Sequence, residues 1–356
     1  MYRKSIITSS FALSLIVILL MCSIFVIAEQ QTRTLIFSSH NPPAGLNYVL
    51  EKPWFEEIEK QTEGRIKIDP FYSASLFSAP EALKAVQDNA VDIACVFADF
   101  YPTQMIAHNI FKLFPIGPEK WENILWIYHS VYERFPEFVE ELDKYNQKML
   151  FPFSLAPGSM CATYPVDSLD DLSRKKWRAS SEWHLAILEN LGAIPTSVPW
   201  ADCYMAIQTG VVDGIFTDIS GMRYQKFDEV GKNIFFNRRL WFGTPYLYNI
   251  NLDVWNSLSK EDQDGILRAS KMYEEILAEE FAKDIDRIVS EWEAIGNTIN
   301  SWSEEDEAKW ADENLLMELR ARWVKRAEEA GLENAASIME GMKNLIDEAL
   351  EKEKVD

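Results

Sequence analysis

Residues 174–214 (RKKWRASSEWHLAILENLGAIPTSVPWADCYMAIQTGVVDG) constrain the fold of this chain more than any other stretch. A basic, strand-like run ends at Arg178, and a helix pattern then reaches Gly192. The short apolar strand IPTSV follows and is broken by Pro199 and Trp200. A second helix, near 201–209, ends at Gly210, and VVDG begins another strand. Strands alternating with helices put their loops at the carboxyl edge of a parallel sheet, where small ligands sit.

The same alternation runs through the first half. RTLIFSSH (33–40) reads as a strand ending in the turn Asn41-Pro42-Pro43-Ala44-Gly45, and a helix over about 46–62 stops before Gly64. RIKIDPFY (65–72) alternates like a strand, 79–89 is a helix, and VDIACVF (91–97) is a buried strand. Helices over 119–146 and a strand at 148–155 complete the unit, and VDSLDDL (166–172) leads into the Arg178 strand. Beyond 214, a helix near 220–229 precedes 238–251, expected as a strand pair returning to the first unit. From Lys260 the spacing of Ile266, Ala269, Tyr273, Ile276, Phe281, Ile285, Ile288 and Trp292 suits one long helix over 260–292. A short strand (297–302) and charged helices over 304–330 and 333–353 follow. The expected fold is α/β with two lobes, each a mixed sheet flanked by helices. One lobe takes 33–155 plus about 244–275, the other 156–243 plus about 276–330, and 331–356 form a helical tail.

Charge and cysteine usage narrow the function. The net charge is −21, and −23 once Arg3 and Lys4 leave with a leader; nucleic-acid binding needs a basic face and is excluded. Residues 1–28 read as a secretory signal, with an uncleaved anchor as the alternative, so residue 30 onward lies outside the cytoplasm. With Cys22 in the leader, Cys95, Cys161 and Cys203 make no disulfide framework; buried thiols are expected, with a Cys161–Cys203 bridge as the alternative. The four histidines show no metal-ligand spacing, and no cofactor motif is present.

The order of residues is more specific than the pattern. A basic strand ending in Arg178, then LGA, a proline–aromatic pair and Y-x-A-x-Q-T-G-V-V-D-G resembles the solute receptors of tripartite ATP-independent periplasmic (TRAP) transporters. The likeness extends upstream through FEEIEKQTEGRIKIDPFYSASLFSAPEALKAVQDNAVDIA and downstream through KFDEV and TPYLYNINLDVWNSLSKEDQ. The resemblance implies a two-lobed periplasmic-binding-protein-like fold braced by the long helix. It also implies a small organic acid as ligand, membrane permease subunits as partners, and a monomer.

The resemblance gives Arg178 the ligand's carboxylate, for which a guanidinium offers two parallel donors. Trp200 stands where the family has an aromatic wall, and Thr217 where many members have an asparagine; threonine offers one hydroxyl in place of paired donor and acceptor. Gly158 lies where some sialic-acid-type members carry a second arginine, which argues against that ligand. In the first lobe, His40, Asn41, Tyr72, Phe97 and Asp99 fall at carboxyl ends of strands. Trp183 and Tyr246 are candidate further walls. Asp99 so near an anion is costly unless it accepts a ligand hydroxyl or amine. Two other readings stand beside transport: a sensory subunit of the same fold, and a hydrolase using His40 or His184, for which no G-x-S-x-G, zinc pair or phosphate loop is present.

Overall fold

The computed structural model describes residues 32–241 and 243–355; the leader segment lies outside the described residues. Eleven strands form two mixed sheets among them. The first contains β1 (Arg33–Ser38), β2 (Ile66–Phe71), β3 (Ile93–Phe97), β4 (Gln147–Phe153) and, from much later in the chain, β10 (Tyr246–Asn251). Their order is β2-β1-β3-β10-β4; β1 pairs in parallel with β2 and β3, and β10 runs antiparallel between β3 and β4. The second sheet has the order β11-β9-β5-β8-β6-β7. It is built from β5 (Gly158–Ala162), β6 (Lys176–Arg178), β7 (Ile194–Thr196), β8 (Gly214–Asp218), β9 (Asn233–Phe236) and β11 (Thr298–Ser301). The central strands β3, β5, β8 and β10 are buried along their whole length. Helices cover both faces of such strands, which explains runs without polar alternation.

The chain crosses between lobes after β4 and returns before β10, so Leu155 and Tyr246 lie at the crossings. The helix Lys260–Ala294 runs along both lobes. At 35 residues it is about 52 Å long. It packs on the helices Gly45–Gln61 and Trp121–Arg134 of the first lobe, and on Ile219–Tyr224 and β11 of the second. Tryptophans fasten it at both ends. Trp54 Nε1 donates to Ser270 Oγ at 3.2 Å, and Trp292 Nε1 donates to Asp228 Oδ2 at 2.9 Å. Ser259 caps its start, accepting from Asp262 N. The buried stripe runs Ile266, Ala269, Tyr273, Leu277, Phe281, Ile285, Ile288, Trp292; each large member contributes roughly 1.5–3 kcal/mol. Ile276, expected in that stripe, is 45% exposed. Between Tyr273 and Phe281 a four-residue step keeps the inward azimuth, and Leu277 takes it.

Two further expectations change. The segment 238–251 is one strand rather than a pair: before β10 the chain is irregular, with a single bridge from Leu240 to Ile116. Gly243 at φ +80° sits there, and a Cβ on it would meet the Phe111 carbonyl at 2.7 Å. Strands β5 and β9 were not expected; runs of four or five residues that are buried almost throughout show no period of their own. Cys95, Cys161 and Cys203 are buried free thiols. The final helix, Ala335–Val355, packs on Trp121–Arg134 of the first lobe.

Candidate functional site

The carboxyl ends of β1, β3, β4, β6 and β8 and the start of the antiparallel β10 all meet at one place between the sheets. Arg178 ends β6, beside Ile215 of β8, and is 3% exposed. Its Nε donates to the Val198 carbonyl at 3.1 Å. Pro199 then turns the chain so that the Trp200 ring lies 5.5 Å from the guanidinium carbon. Nη1 is buried and has no hydrogen-bond partner, and no acid among the described residues forms an ion pair with this arginine. Burial pulls its pKa below the ordinary value. A guanidinium nonetheless stays protonated, so the site holds a desolvated positive charge with no acid in ion-pair contact, Asp99 acting on it only from farther away. Such a group costs several kcal/mol until an anion meets it.

The inner chamber around Arg178 is a half-open space between the lobes. The first lobe contributes His40, Phe97, Phe100, Leu155 and Tyr246, and the second contributes Ser180, Trp200, Thr217 and Asp218. An outer chamber shares Leu155, Trp200, Asp218 and Tyr246 with it. Asn41 lines this outer space with Gly45, Ser220 and Tyr224. Trp200 itself is held edge-on by Phe227, at 5.2 Å.

Behind the inner wall lies a buried ion pair. Lys112 Nζ is 3.2 Å from Asp99 Oδ2, and both side chains are fully buried. Lys112 Nζ also sits 5.3 Å from the centre of the Phe97 ring. Burial pushes the lysine down to about 8, and Asp99 opposes that shift. Ser180 Oγ donates to the same Asp99 oxygen at 3.1 Å, a hydrogen bond from one lobe to the other. The expected cost of Asp99 near an anion is therefore answered within the protein by Lys112. Asp218 caps the helix Ile219–Tyr224, its Oδ1 accepting from Gly221 N at 2.7 Å, and burial raises its pKa to about 6. Burial lowers His40 to about 4, so its ring is neutral near pH 7; its Nδ1 is buried without a partner.

Of the residues singled out from sequence, Arg178, Trp200, Thr217, His40, Phe97 and Tyr246 meet in the inner chamber, Asn41 lines the outer one, and Asp99 stands behind the wall. Two do not reach the cleft. Trp183 is turned onto the helix Glu313–Glu329, with the guanidinium carbons of Arg322 and Arg326 at 5.0 and 5.4 Å from its ring. Ser181 caps the helix Glu182–Asn190, and this sets the direction in which Trp183 leaves it. Tyr72 packs on Tyr48 and Phe37 and faces Glu51; burial and that carboxyl raise its pKa. His184 is fully buried against Phe216 and Trp310. A Cβ at Gly158 would meet the Phe216 ring at 2.8 Å, so a second arginine has no room there. Phe100, which also ends a first-lobe strand in the sequence reading, lines the chamber too, whereas Lys112, Leu155, Ser180 and Asp218 were missed. A lone lysine inside the apolar run NIFKLF was the one signal available for the first.

A cleft of this kind, walled equally by two α/β lobes at the carboxyl edges of their strands, is the site of a two-lobed ligand-binding protein. Residues 37–317 match the family of bacterial extracellular solute-binding proteins, family 7. The chain belongs to that family, the solute receptors of TRAP transporters, which bind rather than transform their ligands. The C4-dicarboxylate-binding periplasmic protein of Rhodobacter capsulatus is 29% identical over 271 residues, 64% of this chain and 76% of that protein. Two solved structures establish the fold. One is a marine metagenome TRAP solute-binding protein specific for aromatic acid ligands (TM-score 0.77, 24% identity, 89% of this chain and 99% of that one). The other, also from a marine metagenome, is specific for pyroglutamate (TM-score 0.76, 16% identity, 88% and 99%). Among the described residues no helix is long and apolar enough to cross a membrane.

Proposed function

We propose that this protein is exported and works outside the cytoplasm as a monomeric receptor that captures a small organic acid and delivers it to membrane permease subunits. Arg178 takes the carboxylate in the inner chamber, Trp200 and Tyr246 cover the carbon skeleton, and Thr217 and His40 offer the remaining polar contacts. The single observation supporting this reading is the buried, unpaired Nη1 of Arg178 inside a chamber walled by both lobes. A carboxylate there replaces the water that burial has removed and cancels the stranded charge. Because the walls come from both lobes, a ligand touching both binds the closed arrangement better and shifts the population toward it. No bond is made or broken in the cycle.

Native mass spectrometry of protein isolated from cells, followed by calorimetric titration with the released acid, tests the reading. Wild-type protein is expected to carry an acid, and Arg178→Ala to bind that acid about 30-fold more weakly or worse, since truncating one side of a buried charge pair costs about 2–5 kcal/mol. Undiminished binding by Arg178→Ala would sink the assignment.

A further inference from the structure

The chamber's charges and surfaces narrow the ligand beyond an organic acid. Two cations lie close to it, and they differ. Lys112 is matched by Asp99 and sits behind the Phe97 ring. Only Arg178, among the described residues lining the chamber, brings a positive charge, and no acid is in ion-pair contact with it. The one acid on the wall is Asp218, whose pKa of about 6 leaves it ionised at pH 7.5. A ligand with one carboxylate therefore finds one partner. A second carboxylate finds no second cation on the wall: it meets rings, the like charge of Asp218, and only the neutral groups of Ser180, Thr217 and His40.

Most of the remaining wall is made of rings, with Leu155, Ser180 and Thr217 interspersed. Phe97 and Tyr246 lie 4.5 Å apart at 32°, Phe97 and Phe100 5.7 Å apart at 73°, and His40 stands edge-on to Phe100 at 5.7 Å. Trp200 closes the opposite side. Rings from both lobes thus bound the space, and a flat ligand presents both faces and its edge to them in the offset and edge-on arrangements that aromatic groups favour. Building on the receptor reading above, we propose that the inner chamber selects a monocarboxylate with a flat ring as its body, and rejects acids that carry a second carboxylate. By this inference the ligand differs from the C4-dicarboxylate in the name of the Rhodobacter relative.

Calorimetric titration of ligand-stripped full-length protein at pH 7.5 tests the proposal with two sets of acids. The first set is flat ring monoacids: benzoate, 3-hydroxybenzoate, nicotinate and phenylacetate. The second is diacids and saturated acids: succinate, terephthalate, butyrate and cyclohexanecarboxylate. The best flat monoacid is expected to bind at least about 100-fold more tightly than either diacid, and about tenfold more tightly than the saturated acids. Asp218→Asn, whose amide oxygen still accepts from Gly221 N, is expected to narrow the diacid gap while leaving the saturated-acid gap in place. Succinate or terephthalate matching the best monoacid overturns the inference and leaves the receptor reading standing, as does a saturated acid binding best. Failure of every acid in both sets overturns the inference, and the receptor reading then stands or falls on the acid released from the isolated protein.

Discussion

Glu51 lies on the inner face of the helix Gly45–Gln61, 2% exposed, and its Oε1 accepts from the Tyr248 hydroxyl at 2.7 Å. Burial raises its pKa from 4.5 to about 7 against the opposing hydrogen bonds. In the unfolded chain it ionises near 4.5, while in the fold it keeps its proton until about 7. Between those values the folded state holds the extra proton, so the folded state loses stability as pH rises through this window and the loss is complete above about 7. A shift of that size corresponds to about 3 kcal/mol. Glu51→Gln removes the titration and keeps an oxygen for Tyr248. The difference in unfolding free energy, variant minus wild type, is expected to rise by about 3 kcal/mol from pH 4.5 to pH 8. Any fixed penalty from burying the amide is independent of pH and cancels from that slope, as do the other titrating groups. Chemical denaturation followed by tryptophan fluorescence at several pH values gives the difference directly. A flat difference across that range would show that Glu51 is not held neutral by burial, and the packing argument for this helix would fall with it.

Two other perturbations probe the cleft. Lys112→Met leaves the Asp99 carboxylate buried without its cation; a loss of about 3–5 kcal/mol in unfolding free energy is expected, largely recovered by adding Asp99→Asn. A loss under about 1 kcal/mol would mean that the pair is not desolvated. Gly45, at φ +85°, brings the first lobe's helix against Tyr224 of the second lobe, where an added Cβ would stand 2.9 Å from the ring. Gly45→Ala touches nothing in the inner chamber, yet it is expected to weaken binding of the retained acid by about tenfold, because closing the lobes needs that contact. Unchanged affinity would mean that Tyr224 does not seat on Gly45 in the bound state.

Local pattern fixed much of this protein. The strand ending at Arg178, the proline that turns the chain before Trp200 and the helix from Lys260 were all legible, because each is specified by residues within a few turns of one another. So was the meeting of several strand ends at one crevice, which follows from strand–helix alternation. Tertiary structure decided what faces what. Trp183 and Trp200 both follow Arg178 in the sequence, yet one packs on Arg322 and Arg326 and the other on Arg178. What Trp183 meets depends on where the helix Glu313–Glu329 docks, and nothing near residue 180 encodes that. Lys112 finds Asp99 thirteen residues away, and Ser180 reaches the same carboxylate across the gap between lobes. These contacts exist only once both sheets are assembled and the chain has passed from one lobe to the other, so the charge balance of the cleft is a property of the assembled lobes.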